Sequence, residues 1–245
     1  MPLEGKRIIV TGASRGIGRA IALACARGGA EVGINFHRSE KEAQALRDEI
    51  GDRATLLPFN VADALAVAGG IAKFDAAKGG IDALVNNAGV NLPALLMSAT
   101  DDEIETMIRT NLFGTMYCTR AVIPVMLRQR GGVILNLSSV AATRPTRGQT
   151  IYAATKGGIE AFTRAVAVEY GRKGIRCHCI RPGAVDTDMF ANTKELAGPE
   201  VLAQIPLRRF AKADEIAQFA AFLLSDEASY VTGSVHTIDG GFATG

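Results

Sequence analysis

Short apolar runs, nearly unbroken by polar residues, recur along the chain, and each is followed by a stretch with helical spacing. A strand that is apolar on both faces needs both faces covered, which is the situation of a parallel sheet between two layers of helices. The runs are Arg7 to Val10, Glu31 to Asn35, Ala54 to Leu57, Ala83 to Val85, Val133 to Leu137, Cys177 to Ile180 and Val235 to Ile238. Between them the spacing predicts helices over Gly16 to Arg27 and over Ser39 to Ile50, with Ser39 as N-cap. Two longer helices are expected at about Asp101 to Arg128 and Gln149 to Arg172. Gly114 and Pro124 suggest a bend in the far end of the first. The crossover from Asp63 to Gly80 is the weakest, because Gly69 and Gly70 fall inside it and each costs about 1 kcal/mol relative to alanine. Repeated strand–helix units connect by right-handed crossovers. The expectation is an α/β fold: a doubly wound, parallel, seven-stranded sheet with helices on both faces, in a single domain over residues 1–245.

With 245 residues, 48% of them hydrophobic, one sizeable core can be built. The net charge is +2 with both signs scattered, so no basic block points to nucleic acid. Met1 to Arg7 has no apolar leader core, and no apolar run is long enough to span a bilayer. A soluble, cytoplasmic protein is expected, with neither nucleic acid nor membrane as partner. Of the four cysteines, only Cys177-His178-Cys179 has the look of a metal site. On a strand the two cysteines share one face and His178 takes the other, so ordinary packing is expected and no metal.

Thr11-Gly12-Ala13-Ser14-Arg15-Gly16-Ile17-Gly18 follows the first strand and opens the first helix. Glycines there let backbone approach a pyrophosphate, and a helix N-terminus offers that anion free N–H groups and a partial positive charge. The second strand ends Asn35-Phe36-His37-Arg38, without the acid that takes a ribose 2′-hydroxyl in NAD sites. Arg38 and Arg15 can pair with a 2′-phosphate, since a guanidinium makes two charge-assisted bonds to it. Both can equally be solvated. The missing acid favours NADP(H), and His37 can lie near the adenine or ribose.

The spacing Gly-x-x-x-Gly-x-Gly is where the chain comes to resemble the short-chain dehydrogenase/reductase family, and the resemblance runs over essentially its whole length. It includes Asn86-Asn87-Ala88-Gly89, Tyr152-Ala153-Ala154-Thr155-Lys156, Ser139 thirteen residues before Tyr152, Asn111, Arg181-Pro182-Gly183 and Asp239-Gly240-Gly241. It implies a Rossmann-type fold and an NADPH-dependent carbonyl reductase. By the resemblance, the nucleotide meets Gly12, Ser14, Arg15, Gly16, Ile17, Gly18, Arg38, Asn60, Val61, Asn87, Ala88, Gly89, Tyr152, Lys156, Pro182, Gly183, Val185 and Thr187. Many relatives have Asp where this chain has Asn60.

Reducing a carbonyl takes a hydride on one side and a proton for the developing alkoxide. Tyr152 can give that proton if its pKa falls toward neutrality, and Lys156, one helical turn on, supplies a charge that favours tyrosinate. The resemblance adds Ser139 as hydrogen-bond partner of the substrate oxygen, and Lys156 as holder of the nicotinamide ribose. It makes Asn111 the site of a water that links lysine to solvent; a buried asparagine that holds helix backbone is the other reading. Ser138 would face away from Ser139 if the strand continues.

Residues 189–206, with Asn192, Gly198 and Pro199 and no strong periodicity, are expected to form a mobile substrate lid. Within the family the chain is similar to the bacterial reductases of 3-oxoacyl chains on acyl carrier protein, which implies a carrier-bound or CoA-bound ketone. Arg130, Arg172 and Lys173 match the positions that meet the carrier beside the cleft. Arg144 and Arg147 are unusual for that branch; they can grip a charged substrate or face solvent. A sugar or polyol dehydrogenase is the alternative enzyme, and an NADP-binding sensor the alternative outside catalysis. The resemblance also implies a homotetramer paired through the two long helices, with Leu112, Phe113, Met116, Tyr117, Phe162 and Val166 as candidate contacts.

Overall fold

The structure, a computed structural model, describes residues 3–244, with all side chains in that span except those of 191–194 and 196–197; Asn192 therefore lies outside it. Strands β1 (Arg7–Val10), β2 (Glu31–Phe36), β3 (Ala54–Pro58), β4 (Ala83–Asn86), β5 (Gly132–Leu137), β6 (Ile175–Pro182) and β7 (Val235–Ile238) form one sheet in the order 3-2-1-4-5-6-7. Every pairing is parallel. The helices are α1 (Gly16–Arg27), α2 (Glu40–Ile50), α3 (Ala64–Lys78), α4 (Asp101–Met107), α5 (Gly114–Gln129), α6 (Thr150–Tyr170), α7 (Asp188–Ala203) and α8 (Ala213–Leu224).

The apolar strands divide their residues between two cores. Ile8, Val10, Val85 and Leu135 face a layer made by α1, α2 and α8. Ile9, Leu84, Ile134 and Cys177 face α3, α5 and α6. Each fully buried Ile or Leu in these layers contributes about 1.5–3 kcal/mol. This two-sided burial is why the strands read as continuous apolar runs.

Two sequence expectations change. The long helix expected from Asp101 to Arg128 is composite: α4 passes into a π-helical turn, Ile108–Phe113, and then into α5. Pro124 lies inside α5 without ending it. Residues 189–206 are not irregular, since α7 covers most of them with Pro199 inside. Apart from Gly198, none of the α7 residues whose side chains are described is buried, so those residues form no core-facing stripe for periodicity to reveal. Among the described residues no helix is long and apolar enough to cross a membrane.

The doubtful third crossover is a full helix. The Asp63 side chain caps it, accepting from Leu65 N at 2.9 Å and Ala66 N at 3.1 Å. Its two glycines differ in kind. A Cβ on Gly69 would meet nothing within 4 Å, whereas one on Gly70 would lie 2.3 Å from the Phe59 ring. Gly70→Ala should therefore destabilise by about 1–3 kcal/mol through overpacking. Gly69→Ala should stabilise by about 0.5–1 kcal/mol through backbone entropy. Urea unfolding of both variants checks the opposite signs.

Candidate active site

The strand order reverses between β1 and β4, and their C-terminal ends open the crevice where sheets of this kind bind ligands. The turn after β1 is packed tightly against the turn after β4. Gly12 has φ 60°, and a Cβ there would lie 2.9 Å from Ala88 Cα. A Cβ on Gly18 would lie 2.3 Å from Asn87 Nδ2. The Asn87 amide donates to the carbonyls of Thr11 at 2.9 Å and Gly12 at 3.1 Å. Gly16, also left-handed at φ 56°, opens instead toward Thr187, whose methyl would lie 3.6 Å from an added Cβ.

The residues fit a dinucleotide. Arg15, the N-cap of α1, makes no side-chain cap bond, and the first turn carries no acid, so the N–H groups of Gly16, Ile17 and Gly18 stand available to an anion. Arg15 and Arg38 are exposed, and among the described residues neither forms an ion pair. Asn35, next to the last residue of β2, is buried and structural. It accepts from Gly12 N at 3.2 Å and donates to the carbonyls of Leu57 and Phe59, both at 3.0 Å. His37 is exposed beside Arg38. Asn60 turns the chain after β3, its side chain accepting from Ala62 N at 3.0 Å, and Val61 packs beneath Gly114. Ser14 is buried in the glycine turn.

On the other side of the crevice, Ser139, Tyr152 and Lys156 come together. Ser139 caps a short turn after β5, its Oγ accepting from Ala141 N at 3.2 Å. Its hydroxyl lies near enough to Tyr152 to favour the ionised phenol. Tyr152 and Lys156 share the first turns of α6, with the Lys156 Nζ 5.5 Å from the Tyr152 ring centre. The ammonium donates to the Leu137 carbonyl at 2.8 Å, and faces Gly89. Burial pulls its pKa down to about 8. The expected fall of the tyrosine pKa is not found in the chain alone. Burial pushes Tyr152 up, and the nearby Ser139 hydroxyl only partly opposes it.

Asn111 sits in the π-helical turn, a distortion common at functional sites. Its Oδ1 accepts from Val90 N at 2.8 Å, while Nδ2 donates to the Val90 carbonyl at 2.9 Å and to Thr155 Oγ1 at 3.2 Å. The side chain thus fastens the loop after β4 to α6. Pro182 ends β6, and Gly183 is required by space, since a Cβ would lie 2.7 Å from Asp239 Cα. Val185 is buried and bridges to Ala211; Thr187 is the N-cap of α7.

Ser138 keeps the alternation of β5 one residue past its end: like Asn136 it points to α6, its Oγ donating to Glu160 Oε1 at 2.8 Å. Several expectations are corrected. Arg144 is not free for a substrate but half-buried, with its guanidinium over the Phe242 ring; Arg147 is exposed. Arg130, Arg172 and Lys173 lie at the starts of β5 and β6, the edge opposite the crevice. Arg172 and Lys173 follow the end of α6 and so lie about 30 Å from Tyr152 at 1.5 Å per residue, while Arg130 caps the end of α5. Val166 is buried in the core and cannot serve a surface contact. Cys177 and Cys179 face α6, and His178 faces Arg176 and His236.

Sequence reasoning passed over Glu160, one helical turn beyond Lys156. Its carboxylate is buried and held by Arg181 in two bonds, Nε to Oε1 at 2.8 Å and Nη2 to Oε2 at 2.7 Å. The i, i+4 spacing from Lys156 was the available signal. Two surface cavities open elsewhere. One, about 320 Å³, lies beside Ile104, Ile108 and Phe113, and the other, about 510 Å³, beneath Arg7, Asp82 and Gly132; neither borders Tyr152.

Comparison with known proteins adds to this geometry. The profile of a family described as Enoyl-(Acyl carrier protein) reductase matches residues 12–243. The 3-oxoacyl-acyl-carrier-protein reductase FabG of Chlamydia muridarum is 42% identical over 244 residues, covering 98% of each chain. That of Escherichia coli K12 is 41% identical over 241 residues, again covering 98% of each. A short chain dehydrogenase from Burkholderia cenocepacia J2315, solved in complex with NADP, superposes with a TM-score of 0.94 at 34% identity over 100% of both chains. A gluconate 5-dehydrogenase from the same organism, with NADP and tartrate, gives 0.94 at 32% identity over 100% of this chain and 97% of its own.

The Glu160–Arg181 pair ties α6 to the strand that leads into Pro182 and Gly183. Glu160→Gln would leave the Arg181 guanidinium without its counter-charge in a mostly buried place. The expected loss is about 2–4 kcal/mol of unfolding free energy, in the range for breaking a buried pair from one side. Urea titration measures it, and a loss no larger than that of an exposed pair, under about 1 kcal/mol, would show the pair to be structurally minor.

Proposed function

Since this chain belongs to the short-chain dehydrogenase/reductase family, we propose that it uses NADPH to reduce the ketone of a 3-oxoacyl thioester carried by acyl carrier protein or CoA. The observation that supports this most is the meeting of Ser139, Tyr152 and Lys156 at the C-terminal ends of β4 and β5, opposite a glycine turn and two unpaired arginines. Relatives at 41–42% identity bear the name of that reaction.

NADPH, when bound, supplies the hydride; the chain's own groups handle the oxygen. Ser139 Oγ orients the carbonyl oxygen, and Tyr152 Oη gives it a proton. The raised pKa of Tyr152 keeps the phenol protonated at neutral pH, the form a donor needs for reduction. Lys156, with a pKa of about 8, is near enough to neutrality to return a proton toward the phenolate. Asn111 acts by holding Val90 and α6 in register, and Val185 and Thr187 border the place of the nicotinamide. Gly12, Ser14, Arg15, Gly16, Ile17, Gly18, Asn87, Ala88 and Gly89 cradle the phosphates and ribose, Asn60 and Val61 the adenine. Arg38, with Arg15, takes the 2′-phosphate. Helix α7 serves as lid.

The assembly is a homotetramer paired through α5 and α6, where the exposed Leu127 and Val168, with Phe113 in the turn just before α5, need cover. Since Arg130 and Lys173 lie far from Tyr152 in their own chain, a carrier protein meets them only at the crevice of another subunit. The likeness to a gluconate 5-dehydrogenase supports a second reading, oxidation and reduction of a sugar acid. NADPH consumption against 3-oxoacyl thioesters and keto sugar acids, measured in parallel, decides between them.

Tyr152→Phe keeps the ring and removes the donor. kcat should fall by a factor on the order of 10² or more, with NADPH binding preserved. Near-normal turnover would overturn the assignment. For the nucleotide, kcat/KM should favour NADPH over NADH, and Arg38→Asp should cut that preference by at least about tenfold, the worth of one charge-assisted contact. A wild-type preference for NADH would defeat the reading of the second strand's end.

A further inference from the structure

The loop between Ser139 and Tyr152 carries one side chain that reaches out of it to two other parts of the fold. The Arg144 guanidinium lies with Cζ 4.4 Å from the centre of the Phe242 ring. Its Nη1 donates to the Phe242 carbonyl, and its Nη2 to Gln204 Oε1 at 3.4 Å. A planar guanidinium can stack flat on a ring while its fork donates in two directions, a geometry that the ammonium of a lysine does not match.

What it reaches is a single block. Gln204 is the C-cap of α7. Just beyond it, Leu207 N donates to the Gly240 carbonyl at 3.2 Å. Gly240 and Gly241 admit no side chain there: a Cβ would lie 2.9 Å from Ile205 Cγ2 in one case and 2.8 Å from Pro206 Cγ in the other. The Asp239 carboxylate closes the C-terminal turn, accepting from Gly241 N at 2.9 Å and Ala243 N at 2.7 Å. The foot of α7 and the C-terminal segment are thus packed together. On the loop side, Arg144 N donates to the Val140 carbonyl at 2.8 Å, one residue after Ser139.

We propose that Arg144 is a positioning residue that fastens the foot of α7 and the C-terminal segment, through Phe242 and Gln204, to the loop presenting Ser139 and Tyr152. The lid helix and the hydroxyls that meet the substrate oxygen then move as one unit. Arg144 touches no reacting atom. It acts on the ketone's side of the crevice and leaves the nucleotide's side, around Gly12 and Arg38, untouched. The kinetic part of this inference rests on the carbonyl-reductase reading; the mechanical part does not.

The test compares Arg144→Ala, Arg144→Lys, Phe242→Ala and the Arg144→Ala/Phe242→Ala double variant in the full-length protein. Hydrogen exchange over residues 201–207 and 239–244 reports the fastening without reference to any substrate. Each alanine variant should speed exchange there by roughly tenfold or more, and the double variant no further than the worse single one. In steady state with a 3-oxoacyl thioester, Arg144→Ala should raise the ketone KM by about tenfold with the NADPH Kd unchanged, the cost of a loosened positioning contact. Arg144→Lys, which keeps the charge over the ring, should recover part of both effects and guards against mere misfolding. Unchanged exchange in Arg144→Ala, or effects of the two alanines that simply multiply, would overturn the proposal. If exchange responds as expected while no 3-oxoacyl thioester is turned over, the fastening stands and the substrate reading fails.

Discussion

Thr11 joins the ends of β1 and β4. Its hydroxyl donates to the Val85 carbonyl at 3.2 Å and accepts from the N–H groups of Asn87 at 2.9 Å and Ala88 at 3.0 Å. Asn87 returns two bonds to the backbone of the same turn, and Asn35 secures that turn from β2. The glycine turn can approach this closely because Gly12 and Gly18 carry no Cβ. Each buried bond contributes only about 0.5–1.5 kcal/mol net, but leaving one of these groups unpaired would cost about 1–3 kcal/mol, so the turn has one low-energy seat. The helix N-terminus that follows is aimed by that seat.

A second polar layer lies under α6. Asn136 on β5 links to Thr163 on α6 at 2.9 Å and accepts from Asn86 on β4 at 2.8 Å. Ser138, Glu160 and Arg181 continue it toward β6. Among the described residues Asn86 Oδ1 has no partner, so the layer carries a cost as well as a gain. Such buried polar ladders set the height and rotation of α6 more sharply than apolar packing does, because hydrogen bonds are directional. Tyr152 and Lys156 inherit their placement from it.

The acid–base pair behaves differently from the expectation drawn from spacing alone. Spacing i, i+4 brings lysine to tyrosine, but burial acts on both, raising the phenol and lowering the ammonium to about 8. The two shifts have one cause, removal of charge from water. They leave a protonated phenol beside a lysine close to its own midpoint, a resting state suited to giving a proton.

Much of this was legible in the chain itself. The seven strands, the glycine turn and the Tyr152–Lys156 pair were legible because each rests on a local signal: unbroken apolar runs for strands covered on both faces, glycine spacing for the turn, and the helical period for the pair. The helix over Asp188–Ala203 was not, since a helix that buries almost none of its described residues writes no stripe. Nor was the π-helical turn at Asn111, which inserts one residue's worth of offset into an otherwise regular helix. The far placement of Arg130 and Lys173 follows from strand direction, which adjacency in sequence does not encode. Glu160 meets Arg181 across 21 residues, and Arg144 meets Phe242 across 98. What the sequence by itself determined is the sheet, the glycine turn and the spacing that makes Tyr152 the candidate proton donor, because local pattern and residue chemistry suffice for them. Only the tertiary structure decided which arginines remain free and which are tied, because that depends on where distant segments come to rest.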